Sequence, residues 1–351
     1  MDKKKILVIF GANSNEHEVS VVSGSAVYKN IDEEKYIKDI IYLDKENKAY
    51  KIDIEDLIKN VKMGYLPKKI KEVDLLEEIK NYDLAFPVIH GGFGEDGKIQ
   101  KILEGKILYV GCSEYASKIT FDKSLTKKSL KDKNIKMAKD IVIKDKITEE
   151  DEDKLKEFTF PVFIKASRSG SSVGVYRAVN KDEAIKYINE AFNVDSIVLV
   201  EEEIKGIEVE VAVLQKCKDM YISDLGVIIP DSTFYTYDSK YNSAVSETRI
   251  IKSKEDFLNL PDKLKEKLNL DNLEKDIKEI KQKAKEIFIA LGCKDLSRID
   301  FFLTKNGYVF NEINTMPGFT SISMYPKLIS DINEIGSFSK ILEILIENNL
   351  K

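Results

Sequence analysis

Apolar and polar positions in the first third of the chain alternate between short apolar runs and longer helix-like stretches. The apolar runs are ILVIF (6–10), IIYL (40–43), LAFPVIH (84–90) and ILYVG (107–111). Strands separated by helices are typical of a mostly parallel sheet with helices packed on it. The pattern therefore predicts an N-terminal α/β domain over residues 1–112.

The pattern changes after Cys112. Residues 122–158 are dense in charge, and Thr148 with Asp151 forms a candidate capping box for a short acidic helix. Four strand-like runs follow, at 161–166, 173–179, 197–204 and 209–214. We predict two α+β domains here, a central one over 113–200 and a C-terminal one over 201–351.

Two helices and one irregular segment complete the pattern. Apolar residues recur at helical spacing over 271–291, with Gly292 as the stop, and again from about Phe338. Residues 231–266 follow no clean period. Long segments without periodicity are often active-site lids, so we predict a lid over about 231–261.

The most informative segment is RIDFFLTKNGYVFNEINTMPGFT, residues 298–320. Two apolar-alternating runs flank Lys305-Asn306-Gly307, which suits a three-residue hairpin loop with a left-handed last residue. That loop pairs the polar residues of the two strands, Asp300 with Glu312 and Arg298 with Asn314. All four side chains then share one face of the sheet.

Carboxylates that face each other across a sheet repel, so this face calls for a cation. Ligands that offer only oxygen favour Mg²⁺. The alternative is a hairpin with a solvated polar face. Arg298 favours the binding site, because only four of the 56 basic side chains are arginine. Its planar fork binds anions in a way that lysine does not.

Composition limits the classes of protein that fit. The 351 residues carry a net charge of −5 and a pI near 5.5, which disfavours nucleic acid or a membrane surface as partner. The apolar run after Lys5 stops at Gly11, too short for a signal peptide, so we expect a cytoplasmic protein. Three widely spaced cysteines indicate neither a disulfide framework nor a zinc site.

Three segments are candidates for binding phosphate. Ser167 to Gly174 is a Ser/Gly loop directly after Lys165 and Ala166. Its small residues would let backbone N–H groups close over a polyphosphate, and the alternative is an ordinary turn. Asp122-Lys123 starts a charged region where a solvated lysine is the alternative. HGGFGEDG (90–97) follows a strand at an end where α/β sheets bind ligands, although Glu95-Asp96 could simply cap a helix.

Taken together, the segments resemble the D-alanine–D-alanine ligase family of the ATP-grasp fold over nearly the full length. The matching stretches, in order, are NEHEVSVVSG (15–24), HGGFGEDGKIQ (90–100), FDKSLTK (121–127), FIKASRSGSSVGV (163–175), LVEEEIKGIE (199–208), FYTYDSKY (234–241) and SRIDFF with FNEINTMPGFTSISMYP (297–326). The resemblance implies three domains, with ATP enclosed between the two α+β domains.

The resemblance also implies a role for each site residue. For ATP these are Lys123, Lys165 and Ser172 at the phosphates, Glu201 at the adenine and Glu208 at the ribose, and for two Mg²⁺ (or Mn²⁺) ions Asp300, Glu312 and Asn314. For the first D-alanine they are Glu18, tied by Ser171 and Tyr241 to the lid, and His90. For the later steps they are Arg298 and Gly318 as oxyanion hole, Lys240 at the γ-phosphate, and Ser323 and Met324 around the second substrate.

The implied reaction is ATP-dependent joining of two D-alanines through an acyl phosphate, for peptidoglycan precursors, by a homodimer. A D-alanine–D-serine ligase of the vancomycin-resistance type is the alternative within the class, whereas Lys240-Tyr241 disfavours D-lactate as substrate. A catalytically dead nucleotide-binding regulator on the same scaffold is the alternative outside the class. The intact Asp300, Glu312 and Asn314 argue against such a regulator.

Overall fold

The structure is a computed structural model that describes residues 2–229, 247–320 and 322–351. Within these residues the strands form three sheets, which follow one another along the chain. No helix in the described part combines the length and hydrophobicity that crossing a bilayer would take.

The first sheet contains β1 (Lys4–Gly11), β2 (Tyr36–Leu43), β3 (Ala49–Ile52), β4 (Lys69–Val73), β5 (Leu84–Val88) and β6 (Leu108–Tyr109), in the order β4-β3-β2-β1-β5-β6. Its helices are α1 (His17–Asn30), α2 (Ile54–Asn60), α3 (Leu75–Glu78) and α4 (Lys98–Leu103). Strands β2, β1, β5 and β6 pair in parallel, and β3 and β4 add an antiparallel edge. Residues 6–10 are fully buried, as a parallel strand covered on both faces must be. The predicted parallel sheet is confirmed.

The second sheet contains β7 (Asp140–Lys144), β8 (Val162–Ala166), β9 (Val175–Ala178) and β10 (Ile197–Glu202), in the antiparallel order β7-β10-β8-β9. Its helices are α5 (Glu114–Phe121), α6 (Lys123–Leu130), α7 (Glu149–Leu155) and α8 (Lys181–Ala191). The predicted capping box is confirmed, since Thr148 and Asp151 exchange side-chain hydrogen bonds with each other's backbone at the start of α7.

The third sheet contains β11 (Gly206–Lys216), β12 (Asp219–Ile222), β13 (Leu225–Ile229), β14 (Glu247–Ile251), β15 (Leu296–Thr304) and β16 (Gly307–Asn314), in the order β14-β13-β11-β15-β16 with β12 beside β11. Its helices are α9 (Lys254–Leu258), α10 (Asp262–Lys265), α11 (Leu273–Ala290), α12 (Met324–Ser330) and α13 (Phe338–Leu350). Helix α11 confirms the predicted helix, and Gly292 after it adopts a left-handed φ of +66°.

The first and third sheets share one hydrophobic core. Phe10 and Phe86 of the first sheet, Leu214 of the third, and Tyr325 and Leu345 of the last two helices belong to a single buried cluster. A continuous close-packed core resists relative movement. The parts of the chain that carry β1, β5 and β15 therefore form a rigid frame for whatever lies between them.

The β15–β16 hairpin pairs as predicted at the site but not at the loop. Arg298 pairs with Asn314 and Asp300 with Glu312, which confirms the predicted pairs. Thr304, however, pairs directly with Gly307, so the loop is one residue shorter than predicted. A β-bulge at Asn311 supplies the missing residue, because Phe301 pairs with Phe310 and Asp300 with Glu312. Bulges of this kind are common beside active sites, where they re-aim side chains.

The predicted irregular segment over 231–261 is corrected in its second half. Residues 231–246 lie outside the described residues. Residues 247–251, in contrast, form β14, which pairs with β13, and 254–258 form α9 with a capping box at Ser253. The second half of the predicted lid is thus part of the third sheet and its flank. Its mixed polar composition hid an edge strand, since such strands need no clean apolar alternation.

An ion-pair network joins the second sheet to α6. Glu201 on β10 is buried and accepts from Lys127 Nζ of α6 at 2.7 Å and from Lys165 Nζ of β8 at 2.6 Å. Lys127 also contacts Asp140 on β7 at 2.9 Å. Burial alone would raise the pKa of Glu201, but the two lysines outweigh it and lower the pKa to about 2. The network therefore holds a charged Glu201 in place at neutral pH.

We predict that Glu201→Gln lowers the free energy of unfolding at pH 7 by roughly 3 kcal/mol. This is the stabilisation expected when the folded protein holds a glutamate pKa about two units or more below its unfolded value. A lowered carboxylate pKa stabilises the fold fully above the unfolded value. That stabilisation is lost as pH falls toward the folded value of about 2. Urea unfolding of wild type and variant should give a constant difference from pH 7 to about 5, narrowing below.

The matched control is Glu202→Gln, the exposed next residue on β10, which should change stability by less than about 0.5 kcal/mol. A Glu201→Gln variant as stable as wild type at pH 7 would show that the network does not stabilise the fold.

Candidate active site

A cavity opens where the carboxyl ends of β1 and β5 face the third sheet and the Ser/Gly loop after β8. Of the predicted site residues, those that line it are His90, Lys123, Ser171, Arg298, Glu312, Asn314, Gly318, Ser323 and Met324. Residues from all three sheets thus meet at one place, although they are up to 234 positions apart in the sequence (90 to 324).

The third sheet contributes the charged wall of this cavity. Arg298 donates to Asp300 through two parallel bonds, Nε to Oδ1 at 2.8 Å and Nη2 to Oδ2 at 2.7 Å. Asp300 is only 1% exposed and also accepts from the Asn314 amide at 3.2 Å. Burial works against the charge of Arg298, but Asp300 and then Glu210 outweigh it and raise the pKa of Arg298 well above its usual value.

The predicted metal ligands fit Mg²⁺ by their chemistry. Asp300, Glu312 and Asn314 offer carboxylate and amide oxygens from neighbouring positions of two paired strands. No group of three or more His, Cys, Asp and Glu in the described residues is arranged to hold a metal by itself. The donor set therefore suits an ion that takes its remaining ligands from substrate phosphates and water.

Two lysines approach the same wall from the second sheet. Lys123, at the start of α6, lies 3.3 Å from Glu312 and donates to the carbonyl of Ser169 in the Ser/Gly loop at 2.7 Å. Lys165 donates to Asn311, the bulge residue, at 3.2 Å, and to Glu201. The bulge thus connects Lys165 of the second sheet to the strand that carries Glu312 in the third.

The predicted partner of Ser171 is corrected by the structure. The hydroxyl of Ser171 donates to Glu16 Oε1 at 2.8 Å, and Glu16 lines the cavity, whereas Glu18 does not. Glu16 is the last residue before α1, while Glu18 lies in its first turn. Two residues further along a helix turn a side chain about 200° around the axis, so Glu18 leaves the cavity wall.

His90 lines the cavity, but both of its ring nitrogens have protein partners. Nδ1 donates to the carbonyl of Met316 at 2.9 Å, because a carbonyl can only accept, and Nε2 lies 2.8 Å from the Ser23 hydroxyl. Phe319 N–H donates to the same hydroxyl at 3.2 Å. Burial lowers the pKa of His90, which keeps the ring neutral. His90 therefore joins the turn after β5 to α1 and to the loop after β16.

The loop after β16 places the remaining predicted residues. The Ser323 hydroxyl bonds to the backbone N–H and the side chain of Thr320, at 3.1 and 2.7 Å. A Cβ on Gly318 would come within 2.6 Å of the Ser323 hydroxyl, so the close packing of this loop requires glycine there. Met324 lies against Gly226 of β13. Gly318, Ser323 and Met324 thus form one corner of the cavity.

The other predicted residues that the structure describes do not line this cavity. Glu201, Lys165 and Asp300 stand one layer behind it, in the contacts described above. Glu208 lies on β11, near enough to Lys165 to raise its pKa, and Ser172 is an exposed residue of the Ser/Gly loop with a left-handed φ of +62°. Lys240 and Tyr241 lie outside the described residues.

Four acidic or basic residues of the site were missed by sequence reasoning. They are Glu16, Glu95, Lys127 and Glu210. Glu95 accepts from the N–H of Gly91 at 2.8 Å, and burial first, then the charge of Glu16, raise its pKa to about 8. Lys127 stands among 56 basic residues, where nothing in the sequence marks it. Glu210 alternates with Glu208 on β11, a spacing that could have placed both on one sheet face.

Comparison with known proteins agrees with this geometry. Residues 5–112 match the family described as D-ala D-ala ligase N-terminus, and residues 130–347 match D-ala D-ala ligase C-terminus. The D-alanine–D-alanine ligase B of Clostridium tetani is 39% identical over 99% of this chain and 94% of its own.

Two solved structures are similar over nearly the whole chain. The VanG D-Ala:D-Ser ligase from Enterococcus faecalis has a TM-score of 0.78 and 32% identity, covering 99% of this chain and 100% of its own. The D-alanine–D-alanine ligase from Bacillus anthracis complexed with ATP has a TM-score of 0.72 and 29% identity, covering 100% and 98%. From its sequence, its fold and the residues around its cavity, this chain belongs to the D-alanine–D-alanine ligase family, whose members are ATP-dependent ligases with the ATP-grasp fold.

Proposed function

We propose that this protein joins two molecules of D-alanine at the expense of ATP, making the dipeptide used for peptidoglycan precursors. The observation that carries the proposal is the convergence on one cavity of three kinds of group: a carboxylate and lysine cluster for phosphate and metal, a buried arginine, and the Glu16–Ser171 pair. The relatives at 36% and 39% identity over 99% of the chain are D-alanine–D-alanine ligases, which supports the same substrates.

ATP would lie between the second and third sheets. Lys123 and Lys165 would contact its phosphates, with Ser172 and the backbone of the Ser/Gly loop closing over them; the contacts of the two lysines with Ser169 and Asn311 support this role. Glu201 would accept from the adenine amino group, and Glu208 would bind the ribose. Asp300, Glu312 and Asn314 would hold Mg²⁺, which neutralises charge on the transferred phosphoryl group when bound.

The first D-alanine would bind through its ammonium group to Glu16. Ser171 donates to this carboxylate at 2.8 Å and so ties the residue before α1 to the phosphate-binding loop. His90 would stand near the substrate carboxylate as part of its hydrogen-bonded frame. Closure of the loop over ATP and binding of the amino acid would thereby be linked through one hydrogen bond.

The first chemical step would be phosphoryl transfer. A carboxylate oxygen of the first D-alanine attacks the γ-phosphorus of ATP, the bond to the β,γ-bridging oxygen breaks, and ADP leaves. Lys123, Lys165 and Lys240 would surround the transferred group with positive charge. The acyl phosphate that forms carries an activated carbonyl, and exclusion of water keeps it from hydrolysis.

The second step would be acyl transfer. The neutral amine of the second D-alanine attacks the carbonyl carbon, inorganic phosphate leaves, and the amide nitrogen loses its remaining extra proton. Arg298 and the N–H of Gly318 would stabilise the tetrahedral oxyanion, where one donor is typically worth about 3–4 kcal/mol. Ser323 would bind the second carboxylate, and Met324 would limit the size of the side chain.

We expect Arg298→Lys to lower kcat about 10²-fold or more, because lysine keeps the charge but loses the planar fork that holds Asp300 and faces the oxyanion. Steady-state phosphate release with saturating ATP and D-alanine measures kcat. The control is Arg177→Lys. Arg177 lies on β9, where its Nε is 2.7 Å from Glu203 Oε1, and it does not line the cavity, so this substitution should leave kcat unchanged. Near-normal turnover in Arg298→Lys would remove the oxyanion role.

Substrate choice is tested by competition. With equal D-alanine and D-serine, dipeptide analysis should show D-alanyl-D-alanine as the main product with some D-serine incorporated, because an apolar pocket rejects an added hydroxyl by about 10²-fold at best. D-Lactate, which lacks the amine, should be the poorest acceptor at neutral pH. Preference for D-serine would instead support the D-alanine–D-serine activity named for the Enterococcus relative. ATP hydrolysis with none of these acceptors incorporated would contradict the proposed function.

A further inference from the structure

Glu210 extends the pair of opposed carboxylates to a row of three. It lies on β11 directly opposite Asp300 on β15, which lies directly opposite Glu312 on β16. Residues opposite each other on neighbouring strands share a sheet face. We call Glu210, Asp300 and Glu312 the carboxylate row. Glu210 is only 5% exposed and lines the cavity, yet none of the roles assigned so far uses it.

Arg298 lies between two members of this row. Both of its bonds to Asp300 are short, at 2.8 and 2.7 Å, whereas its Nε lies 3.4 Å from Glu210 Oε1. The guanidinium is therefore committed to Asp300, with Glu210 as a second acidic neighbour within reach. Both carboxylates raise the pKa of Arg298, Asp300 more than Glu210.

Asp300 faces two competing demands in the reaction proposed above. Both of its oxygens face Arg298 in this structure, and the same oxygens are the candidate ligands for Mg²⁺. A guanidinium and a divalent cation repel each other, so sharing one carboxylate between them costs free energy. Metal binding is easier if Arg298 can loosen its hold on Asp300 without losing its counter-charge.

We propose that Glu210 is a positioning residue that takes up Arg298 when metal and nucleotide bind, so that Asp300 is released to the metal. The proposal rests on the proposed function for the presence of a metal at Asp300. Glu210 is also opposite Gly226, against which Met324 packs, so it lies on the side of Arg298 toward the second-substrate corner. A guanidinium held by Glu210 stays in the cavity instead of following the metal ligands.

The experiment measures metal binding without turnover. Glu210→Gln keeps the shape of the side chain and removes its charge, so Arg298 has no carboxylate at position 210 to move to and the metal must compete with it for Asp300. Mn²⁺ binding is followed by electron paramagnetic resonance of free Mn²⁺, in the presence of a non-hydrolysable ATP analogue. We expect the Kd for Mn²⁺ to rise about tenfold, as it does when outer-shell partners of metal ligands are removed.

Two further variants separate this role from a structural one. Glu210→Asp keeps the charge on a shorter side chain and should recover part of the Mn²⁺ affinity, which a simple packing defect would not do. Asp276→Asn removes another buried carboxylate of the same part of the chain, on α11, and should leave the Kd unchanged. In turnover, Glu210→Gln should recover at high Mg²⁺ concentration, whereas wild type should already be saturated.

A Kd for Glu210→Gln within about twofold of wild type overturns the proposal, as does an equal loss of affinity in Asp276→Asn. If Glu210→Gln does not fold, Glu210→Asp provides the test. The proposal is then overturned if Glu210→Asp binds Mn²⁺ as tightly as wild type, or if it does not bind Mn²⁺ at all. The test is separate from that of the proposed function, since it uses no amino acid. If the wild-type protein binds Mn²⁺ and nucleotide but ligates no D-alanine, only the proposed reaction is contradicted. If it binds no Mn²⁺, both the proposed reaction and the role of Glu210 are contradicted.

Discussion

The constraint on which the rest of this structure depends is the electrostatic cost of placing several carboxylates side by side in a closed cleft. Three of them face one another across β11, β15 and β16, and a fourth, Glu201, is buried on β10 of the neighbouring sheet. Buried charges of one sign are tolerated only when opposite charges and hydrogen bonds surround them. Arg298 on β15, Lys165 on β8, and Lys123 and Lys127 on α6 meet that need. Lys123 and Lys165 thus link the second sheet and its helices to the third sheet beside the cavity.

This arrangement joins a rigid frame to the part that carries the second sheet, whose α6 contacts the frame through Leu130 as well as through polar groups. The first and third sheets share one hydrophobic core, which fixes Arg298, the turn after β5 and the loop after β16 relative to one another. The second sheet has its own core and reaches the cavity through Lys123, Lys165 and the Ser171 bond to Glu16. Apolar contacts hold the first and third sheets together, while the second sheet reaches the cavity through polar bonds.

Sequence reasoning predicted the parallel sheet, the capping box and the metal-side pairs, because each depends on local periodicity or on turn chemistry. The prediction of the pairs Asp300–Glu312 and Arg298–Asn314 assumed a hairpin loop that is one residue too long. The pairs are nevertheless right, because the bulge at Asn311 adds one residue to β16 and restores the register. Bulges leave no local signal, because one extra residue in a strand keeps the composition unchanged. The resemblance pointed to Glu18, whereas the structure turns Glu16 toward the cavity; the two positions are separated by two residues, or about 200° around the helix axis. Lys127 pairs with Glu201, 74 positions away, and Glu210 with Arg298, 88 positions away, and no local pattern contains such pairs.

The central claim is that a carboxylate of the first amino acid is activated by phosphoryl transfer and then attacked by the amine of the second. It is tested most directly with D-alanine labelled with ¹⁸O in both carboxylate oxygens. The attacking oxygen becomes the bridge of the acyl phosphate, so one labelled oxygen should leave with each inorganic phosphate, as read by mass spectrometry. Dipeptide formation with unlabelled phosphate would contradict the account, because the carboxylate oxygen would never have been bonded to phosphorus.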